Sequence, residues 1–281
     1  IATLQLGIGV MYAVCLWLAP DARPRPHITF KDYKATLPVA AAAAAAHFGV
    51  VFSSSAASVS FAQIVFAIEP VFAALIGTLL YKASISTAKL LSLIPVIGGV
   101  CLALYGEVRF AWVAFAAALF TNAAAALRVN EHKKLMSTDG IKERLGSVGN
   151  QYAITTINMF LMSVPVALIA EGRKLGTFIR TCKTSPALVN YLLFSGLSYY
   201  LYSEIATVVI KKAGPVTQSV LNCAKRAIII TAVAFVLGEG LGVLKLLGAC
   251  VSIVGVLLYS VVLDTNSWGI LRQEGALRGP K

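Results

Sequence analysis

Charged side chains are scarce in this sequence. Only 13% of the 281 residues are Asp, Glu, Lys or Arg, against roughly a quarter in an ordinary globular domain. The mean hydropathy is +0.80, and such a chain cannot cover a water-facing surface, which excludes most soluble enzymes. The five cysteines lie far apart, without paired or metal-ligand spacing, and are interpreted as small core residues.

Motifs of catalysis are also missing. There is no Ser/His/Asp constellation, no metal-ligand cluster and no glycine-rich phosphate loop after a strand pattern. We therefore expect no enzyme activity, no cofactor and no metal. The net charge of +12 lies mainly in short segments between apolar runs, which indicates membrane topology and no nucleic-acid partner.

Long apolar runs dominate what is present. Each is long enough to cross about 30 Å of hydrocarbon as a helix, so the sequence predicts an all-α integral membrane protein with about nine helices. Turn-forming and charged residues predict loops between them, including Lys133–Gly146, Glu171–Pro186 and Lys211–Pro215. The predicted helices cover residues 1–19, 35–56, 60–80, 86–106, 110–131, 148–170, 186–210, 215–236 and 240–262.

The chain contains an internal repeat. The pattern Lys89-Leu90-Leu91 with Gly99-Val100 recurs 156 residues later as Lys245-Leu246-Leu247 with Gly255-Val256. This offset pairs all predicted helices except 110–131, whose partner would precede Ile1. We therefore expect a ten-helix protein of two five-helix units, with its first helix missing from this chain. An odd number of helices per unit requires inverted repeats, which are typical of secondary transporters.

The predicted repeats cover residues 1–106, lacking the first helix, and 107–281, which includes the C-terminal tail; together they form one transport domain. Loops on the C-terminal side carry about fifteen Lys and Arg residues and the other side about six, so the C-terminus is predicted to face the more positive compartment. The loop with Arg173, Lys174, Arg180 and Lys183 is a local exception.

Two adjacent cations, Lys225 and Arg226, fall in the middle of predicted helix 215–236. Each charge at mid-bilayer costs about 2.5 to 3.5 kcal/mol, so both need compensation. One interpretation is a structural ion pair between Lys225 and Glu69, which the repeat sets in equivalent positions. However, one carboxylate cannot neutralise two cations, and the surplus charge favours an anionic ligand. Pro70 is expected to bend the helix beside this site.

Other polar residues lie at similar depth. His47 and Tyr202 are candidate hydrogen-bond donors to a substrate, with interhelical packing as the alternative for each. Glu204 is a candidate counter-ion or proton carrier. Arg128, near the end of its helix, either contacts ligand or extends to the membrane surface.

Four stretches resemble the plastidic phosphate translocators, the triose-phosphate/phosphate translocator family of the drug/metabolite transporter superfamily. They are Ser58-Val59-Ser60-Phe61 running to Ala67-Ile68-Glu69-Pro70, Tyr199-Tyr200-Leu201-Tyr202, Pro215-Val216-Thr217 running to Lys225-Arg226, and Gly255-Val256-Leu257-Leu258-Tyr259-Ser260. The resemblance implies strict exchange of inorganic phosphate for a phosphorylated metabolite across the inner plastid envelope. It also implies that Lys225 and Arg226 grip the phosphate and that His47, Tyr202 and Arg128 contact substrate.

Two positions depart from this family. Phe66 occupies the position of a lysine that also contacts phosphate, and Val50 replaces an expected hydroxyl-bearing residue. Both changes should weaken binding of a doubly charged phosphate. They leave room for a divergent translocator or a less charged ligand.

The leading hypothesis is an alternating-access antiporter that exchanges phosphate for a triose, pentose or hexose phosphate, 3-phosphoglycerate or phosphoenolpyruvate. Its partners would be these anions and the lipid bilayer, and it would act as a monomer or homodimer. Glu69 would balance the site when no anion is bound. One alternative is a nucleotide-sugar or other organic-anion transporter of a Golgi or ER membrane, with Phe66 as a stacking surface. The other is a membrane protein that does not transport, with Lys225 and Glu69 as a structural pair.

Overall fold

The computed structural model describes residues 1–20, 22–82, 85–107, 110–136, 138, 140–238 and 242–277. Side chains are described in these ranges except at 133, 136, 142, 210–220, 223, 237 and 262–277. Within this part the chain is helical, with no β-strand. The helices are α1 (Ala2–Leu18), α2 (Phe30–Ala56), α3 (Val59–Phe66), α4 (Glu69–Tyr81), α5 (Thr87–Tyr105), α6 (Trp112–Met136), α7 (Ile141–Leu145), α8 (Val148–Glu171), α9 (Leu175–Thr184), α10 (Pro186–Leu237) and α11 (Val243–Leu277).

Seven helical stretches among the described residues are long and apolar enough to cross a membrane, and α1 is a shorter apolar helix. This confirms the prediction of an all-α integral membrane protein. The stretches are Phe30–Ala56, Val59–Tyr81, Thr87–Tyr105, Trp112–His132, Val148–Thr184, Pro186–Val209 and Val243–Val261.

Three predicted loops contain helix. Lys133–Gly146 holds the end of α6 and all of α7. The backbone of Lys211–Pro215 is helical, so the predicted helices 186–210 and 215–236 both lie in α10. Gly214 and Pro215 do not end α10, because Gly and Pro are tolerated inside membrane helices, where neighbouring groups and local adjustment satisfy the freed backbone groups. Segment Glu171–Pro186 contains α9 and a 3₁₀ turn, Gly172–Lys174. The periodic apolar residues of α9 explain this helix better than turn chemistry does.

The chain forms two compact units. Unit 1 contains Ile1–Val51 and Leu127–Lys212, and unit 2 contains Phe52–Ala126 and Ala213–Lys281. Unit 1 therefore takes one segment from each predicted repeat, whereas the first segment of unit 2 runs past the predicted boundary at residue 106 to Ala126. The 156-residue offset maps Val51 onto Thr207, close to the boundary at Lys212, but the repeat boundaries themselves stay a prediction.

In unit 1 the core joins α1, α2 and α8 through Leu6, Ala43 and Met159. Its polar end is fixed by an ion pair between Arg144 of α7 and Asp32 of α2. Arg144 donates from Nε and Nη2 to the two carboxylate oxygens, at 2.8 and 2.7 Å. This bidentate contact raises the pKa of Arg144 above its ordinary value and holds α7 against the start of α2.

In unit 2, α5 and α11 pack closely through glycines. A Cβ on Gly99 would overlap the backbone of Ser252, and a Cβ on Gly255 would lie 2.7 Å from the backbone nitrogen of Val96. The residue number rises along α5 as it falls along α11, so the two helices are antiparallel. The offset of 156 exchanges these two contacts, Gly99 with Gly255 and Val96 with Ser252. Antiparallel, self-complementary packing is what an inverted repeat requires.

Candidate functional site

The helix break before Pro70 places the first site residue. Proline has no backbone N–H to continue the α3 ladder, so α3 ends at Phe66 and α4 begins at Glu69. The sequence predicted a bend of one helix at Pro70, whereas the structure has two helices, α3 and α4. The buried carbonyl of Val65 accepts hydrogen bonds from Ile68 N at 3.1 Å and from Nδ2 of Asn122 at 2.9 Å. The break therefore sets Glu69 in the first turn of α4, where the helix dipole stabilises a carboxylate.

Sequence reasoning missed Asn122, which is 2% exposed. The signal was present, because a proline in a membrane helix frees a carbonyl that a neighbouring helix has to satisfy. A buried amide in an otherwise apolar helix was the natural candidate. Its partner was not predictable from sequence spacing, since 57 residues separate the two groups.

Arg226 is the partner of Glu69. Its Nη2 donates to Glu69 Oε2 at 2.7 Å, and the two side chains are 11% and 34% exposed. The predicted structural alternative had Lys225 paired with Glu69, whereas the structure places this carboxylate on the guanidinium. The contact uses one guanidinium nitrogen and one carboxylate oxygen, so it is a single charge-assisted hydrogen bond.

Arg226 has a second hydrogen-bond donor that does not contact Glu69. Its Nη1 is buried and has no hydrogen-bond partner among the described residues, and the same holds for Oγ of Ser252. Both residues border a cavity of about 10 Å³, which is the size of about one water molecule. An anion larger than water therefore reaches Nη1 only after side chains around Arg226 move.

Lys225 and Phe66 complete the predicted group in unit 2. Lys225 precedes Arg226 on α10 and is partly exposed. Phe66, where the resembled family has lysine, is 7% exposed at the end of α3. Its ring offers little surface for base stacking, and the apolar position supplies no third cation.

The remaining predicted residues lie in unit 1. His47 of α2 is 6% exposed and stacks on Tyr199 of α10, with ring centroids 4.0 Å apart. Nε2 of His47 is buried without a hydrogen-bond partner in the described part of the chain. The 156-residue offset maps His47 onto Ser203, and the ring that His47 contacts, Tyr199, lies one helical turn from that position. A buried imidazole nitrogen of this kind can donate to or accept from a polar ligand.

Tyr202 and Arg128 are more open to their surroundings. Tyr202 is 43% exposed, and Arg128 is exposed on α6, within electrostatic reach of Tyr152 and Tyr199. Of these aromatic side chains, Tyr199 is the one that stacks on His47. Unit 1 thus carries a polar aromatic group with one nearby cation.

Glu204 forms an ion pair with Arg23 in the same unit. Arg23 follows α1, and sequence reasoning counted it only as a loop cation. The side chains are 13% and 15% exposed and border a cavity of about 280 Å³. The pairing supports the counter-ion role of Glu204 over a proton-carrier role. The other lining residues are Tyr12, Leu201, Ile205, Val208 and Val209.

These side chains can bind a polar or charged ligand through hydrogen bonds and charge. Unit 2 offers a guanidinium with a spare donor, a neighbouring ammonium and one carboxylate; unit 1 offers an imidazole, phenols and a guanidinium. In the described ranges no three His, Cys, Asp or Glu side chains are placed to hold a metal ion. Buried cations in apolar helices are typical of anion pathways.

Comparison with known proteins agrees with this picture. The sequence pattern of the Triose-phosphate Transporter family matches residues 1–260. The phosphoenolpyruvate/phosphate translocator 3, chloroplastic, of Oryza sativa subsp. japonica is 31% identical over 272 residues, which is 95% of this chain and 67% of the relative. The triose phosphate/phosphate translocator, chloroplastic, of Pisum sativum is 31% identical over 266 residues, 93% of this chain and 64% of the relative. The glucose-6-phosphate/phosphate translocator 1, chloroplastic, of Arabidopsis thaliana is 29% identical over 262 residues, 92% of this chain and 66% of the relative.

Fold and site together define a membrane transporter and not an enzyme. The chain belongs to the Triose-phosphate Transporter family, and the resemblance inferred from its motifs is confirmed. It spans about two thirds of the length of these curated relatives.

Proposed function

We propose that this protein is an antiporter that exchanges inorganic phosphate for a small phosphorylated metabolite. The candidates are triose, pentose or hexose phosphates, 3-phosphoglycerate and phosphoenolpyruvate. The relatives are named as translocators that pair phosphate with phosphoenolpyruvate, glucose 6-phosphate or triose phosphate. Because they are also named as chloroplastic, we propose the plastid envelope, and its inner membrane, as the location.

Arg226 carries this proposal. It is 9% exposed in an apolar helix, and one nitrogen pairs with Glu69 while the other has no hydrogen-bond partner among described groups. A phosphoryl group accepts two parallel hydrogen bonds from a guanidinium, and a carboxylate uses the same geometry. Glu69 therefore occupies the place on Arg226 that a substrate anion would take. We infer that substrate binding breaks the ion pair between Arg226 and Glu69.

Lys225 adds the second charge. With Glu69 as the one acidic side chain in the predicted site helices of unit 2, the two cations keep a net positive charge. This surplus of positive charge attracts a phosphate, which carries a charge of about −2 at neutral pH. His47, Tyr202 and Arg128 stay the predicted contacts for the rest of the substrate.

Obligatory exchange follows from the same charges. Alternating access in inverted-repeat transporters requires the site residues to pass through an occluded state. Without an anion, that step carries net positive charge through apolar surroundings, which is costly. With an anion bound, this positive surplus is gone and the step becomes fast in either direction. We propose that the 1–106 and 107–281 repeats supply the two inverted halves.

Phe66 and Val50 shape substrate preference. The site lacks one cation and one hydroxyl compared with the family pattern, so we infer weaker binding of phosphate dianions than in relatives that have both. A second anionic group on the substrate, such as a carboxylate beside its phosphate, adds charge attraction to Lys225 and Arg226. This favours phosphoenolpyruvate or 3-phosphoglycerate over uncharged sugar backbones.

Counter-exchange tests the proposal. The purified full chain is reconstituted in liposomes loaded with phosphate, and uptake of each candidate metabolite is compared with uptake of a nucleotide sugar. We expect uptake of at least one phosphorylated metabolite that depends on internal phosphate. Nucleotide-sugar uptake without any phosphate counter-exchange would overturn the proposal in favour of the alternative carrier.

A further inference from the structure

The segment between α8 and α10 is basic and amphipathic. The 3₁₀ turn Gly172–Lys174 and α9 together form what we term the surface helix, residues 172–184. It contains four cations and no Asp or Glu; the cations are Arg173, Lys174, Arg180 and Lys183. None of these residues has a role in the proposed transport site.

The apolar residues of the surface helix lie on one side. With about 100° between successive residues, Leu175, Phe178, Ile179 and Cys182 share one arc, and the rest of α9 carries Arg180, Lys183 and threonines. Phe178 and Cys182 are half-buried, whereas Leu175 is 45% exposed and Ile179 46% exposed. The apolar arc is therefore only partly covered by the protein.

The neighbouring helices place this segment at a membrane surface. The candidate span Val148–Thr184 includes the surface helix, but α8 alone has 24 residues, so it is about 36 Å long and crosses the roughly 30 Å hydrocarbon region by itself. Another candidate span, Pro186–Val209, begins directly after the surface helix. The surface helix consequently joins two spans at the same membrane face, where exposed Leu and Ile enter the lipid boundary and Arg and Lys reach headgroups.

We propose that the surface helix binds anionic lipid headgroups, with its apolar arc inserted at the acyl-chain boundary. The charge supports this occupant, because each Lys or Arg near an anionic surface strengthens attachment by about fivefold. The proposal also accounts for the exception in the Lys and Arg distribution. Four of the about six cations on the less basic side lie in this one segment, where they serve lipid contact.

The first experiment measures lipid stabilisation of the purified full chain in neutral detergent. Thermal unfolding is followed while phosphatidylglycerol or phosphatidylcholine with the same acyl chains is added. We expect phosphatidylglycerol to stabilise the protein, and the double variant R180Q/K183Q to need roughly thirtyfold more of it. The matched control K31Q/K34Q removes two exposed cations from α2 and should change this requirement much less. Equal losses in both variants would show general charge attraction and overturn the proposal.

Free phosphate is tested in parallel. Inorganic phosphate should stabilise wild type and R180Q/K183Q equally, because the surface helix is not its site. If phosphate alone reproduces the phosphatidylglycerol effect and R180Q/K183Q abolishes both, the ligand is a free anion and the lipid proposal fails.

The second experiment tests the orientation of the helix. Ile179→Trp places a fluorophore on the exposed apolar arc, and Thr177→Trp places one on the opposite polar side. In liposomes of phosphatidylglycerol brominated in the acyl chain, we expect quenching of the added fluorescence at 179 and little at 177, after subtraction of the wild-type signal. Equal quenching, or stronger quenching at 177, would contradict insertion of this arc.

Discussion

Removal of the Glu69 carboxylate should tighten phosphate binding. In Glu69→Gln, Arg226 loses the charged acceptor 2.7 Å from its Nη2 but keeps a side chain of nearly the same size beside it. A buried ion pair broken on one side costs 3 to 5 kcal/mol and an exposed one less than about 1 kcal/mol. Because Glu69 is 34% exposed, we expect about 1 to 2 kcal/mol. The protein without anion should be destabilised by this amount.

The same free energy should appear in phosphate affinity. In wild type a phosphate competes with Glu69 for Arg226, whereas in Glu69→Gln it meets a guanidinium without a carboxylate. A gain of about 1 to 2 kcal/mol corresponds to roughly five- to thirtyfold tighter binding. The assay is thermal unfolding of the purified full chain over a series of phosphate concentrations, with the half-saturating concentration as the readout.

Glu204→Gln is the matched control. It makes the same chemical change in the Arg23 pair of unit 1, so it should lower stability and leave the phosphate dependence unchanged. Unchanged or weaker phosphate binding in Glu69→Gln would refute the competition, and Glu69 would then be a structural partner of Arg226.

Three further predictions concern the packing that supports the site. Gly99→Ala should cost about 1 to 3 kcal/mol, because its methyl group overlaps the backbone of α11. Gly98→Ala meets nothing within 4 Å and should leave stability unchanged or improve it; similar losses in both would contradict the close packing. Asn122→Ala leaves the carbonyl at the helix break without its side-chain donor and should cost about 1 to 3 kcal/mol. Asp32→Asn removes the negative charge of the bidentate pair with Arg144. Because the Arg144 side chain is 38% exposed, we expect a loss of about 1 kcal/mol in the free energy of unfolding. Thermal unfolding measures each.

The sequence predicted most of the fold because lipid imposes a simple rule on composition. Apolar runs of about 20 residues mark helices, and Pro70 marked the break that separates α3 from α4. The turn residues at Lys211–Pro215 misled, because Gly and Pro are tolerated within membrane helices such as α10. Glycines within apolar helices such as α5 and α11 are typical of close helix packing. Only the structure shows that the backbones of these two helices contact each other.

Prediction of the site was less complete. Lys225, Arg226 and Glu69 stand out because charge is rare in apolar helices, yet their pairing depends on side-chain direction. Lys225 and Glu69 correspond under the repeat, and the ion pair nevertheless forms with Arg226. The ion pair of Arg23 with Glu204 joins residues 181 positions apart, and no local pattern predicts it.

Phosphate uptake under two loading conditions tests the central claim most directly. Liposomes with the reconstituted full chain are prepared with or without internal phosphate, and entry of radiolabelled phosphate is followed for wild type, Arg226→Gln and the control Lys31→Gln. The account predicts rapid uptake that requires internal phosphate, a loss of about thirtyfold or more in Arg226→Gln, and little change in Lys31→Gln. Uptake that is independent of internal phosphate, or full activity of Arg226→Gln, would contradict it.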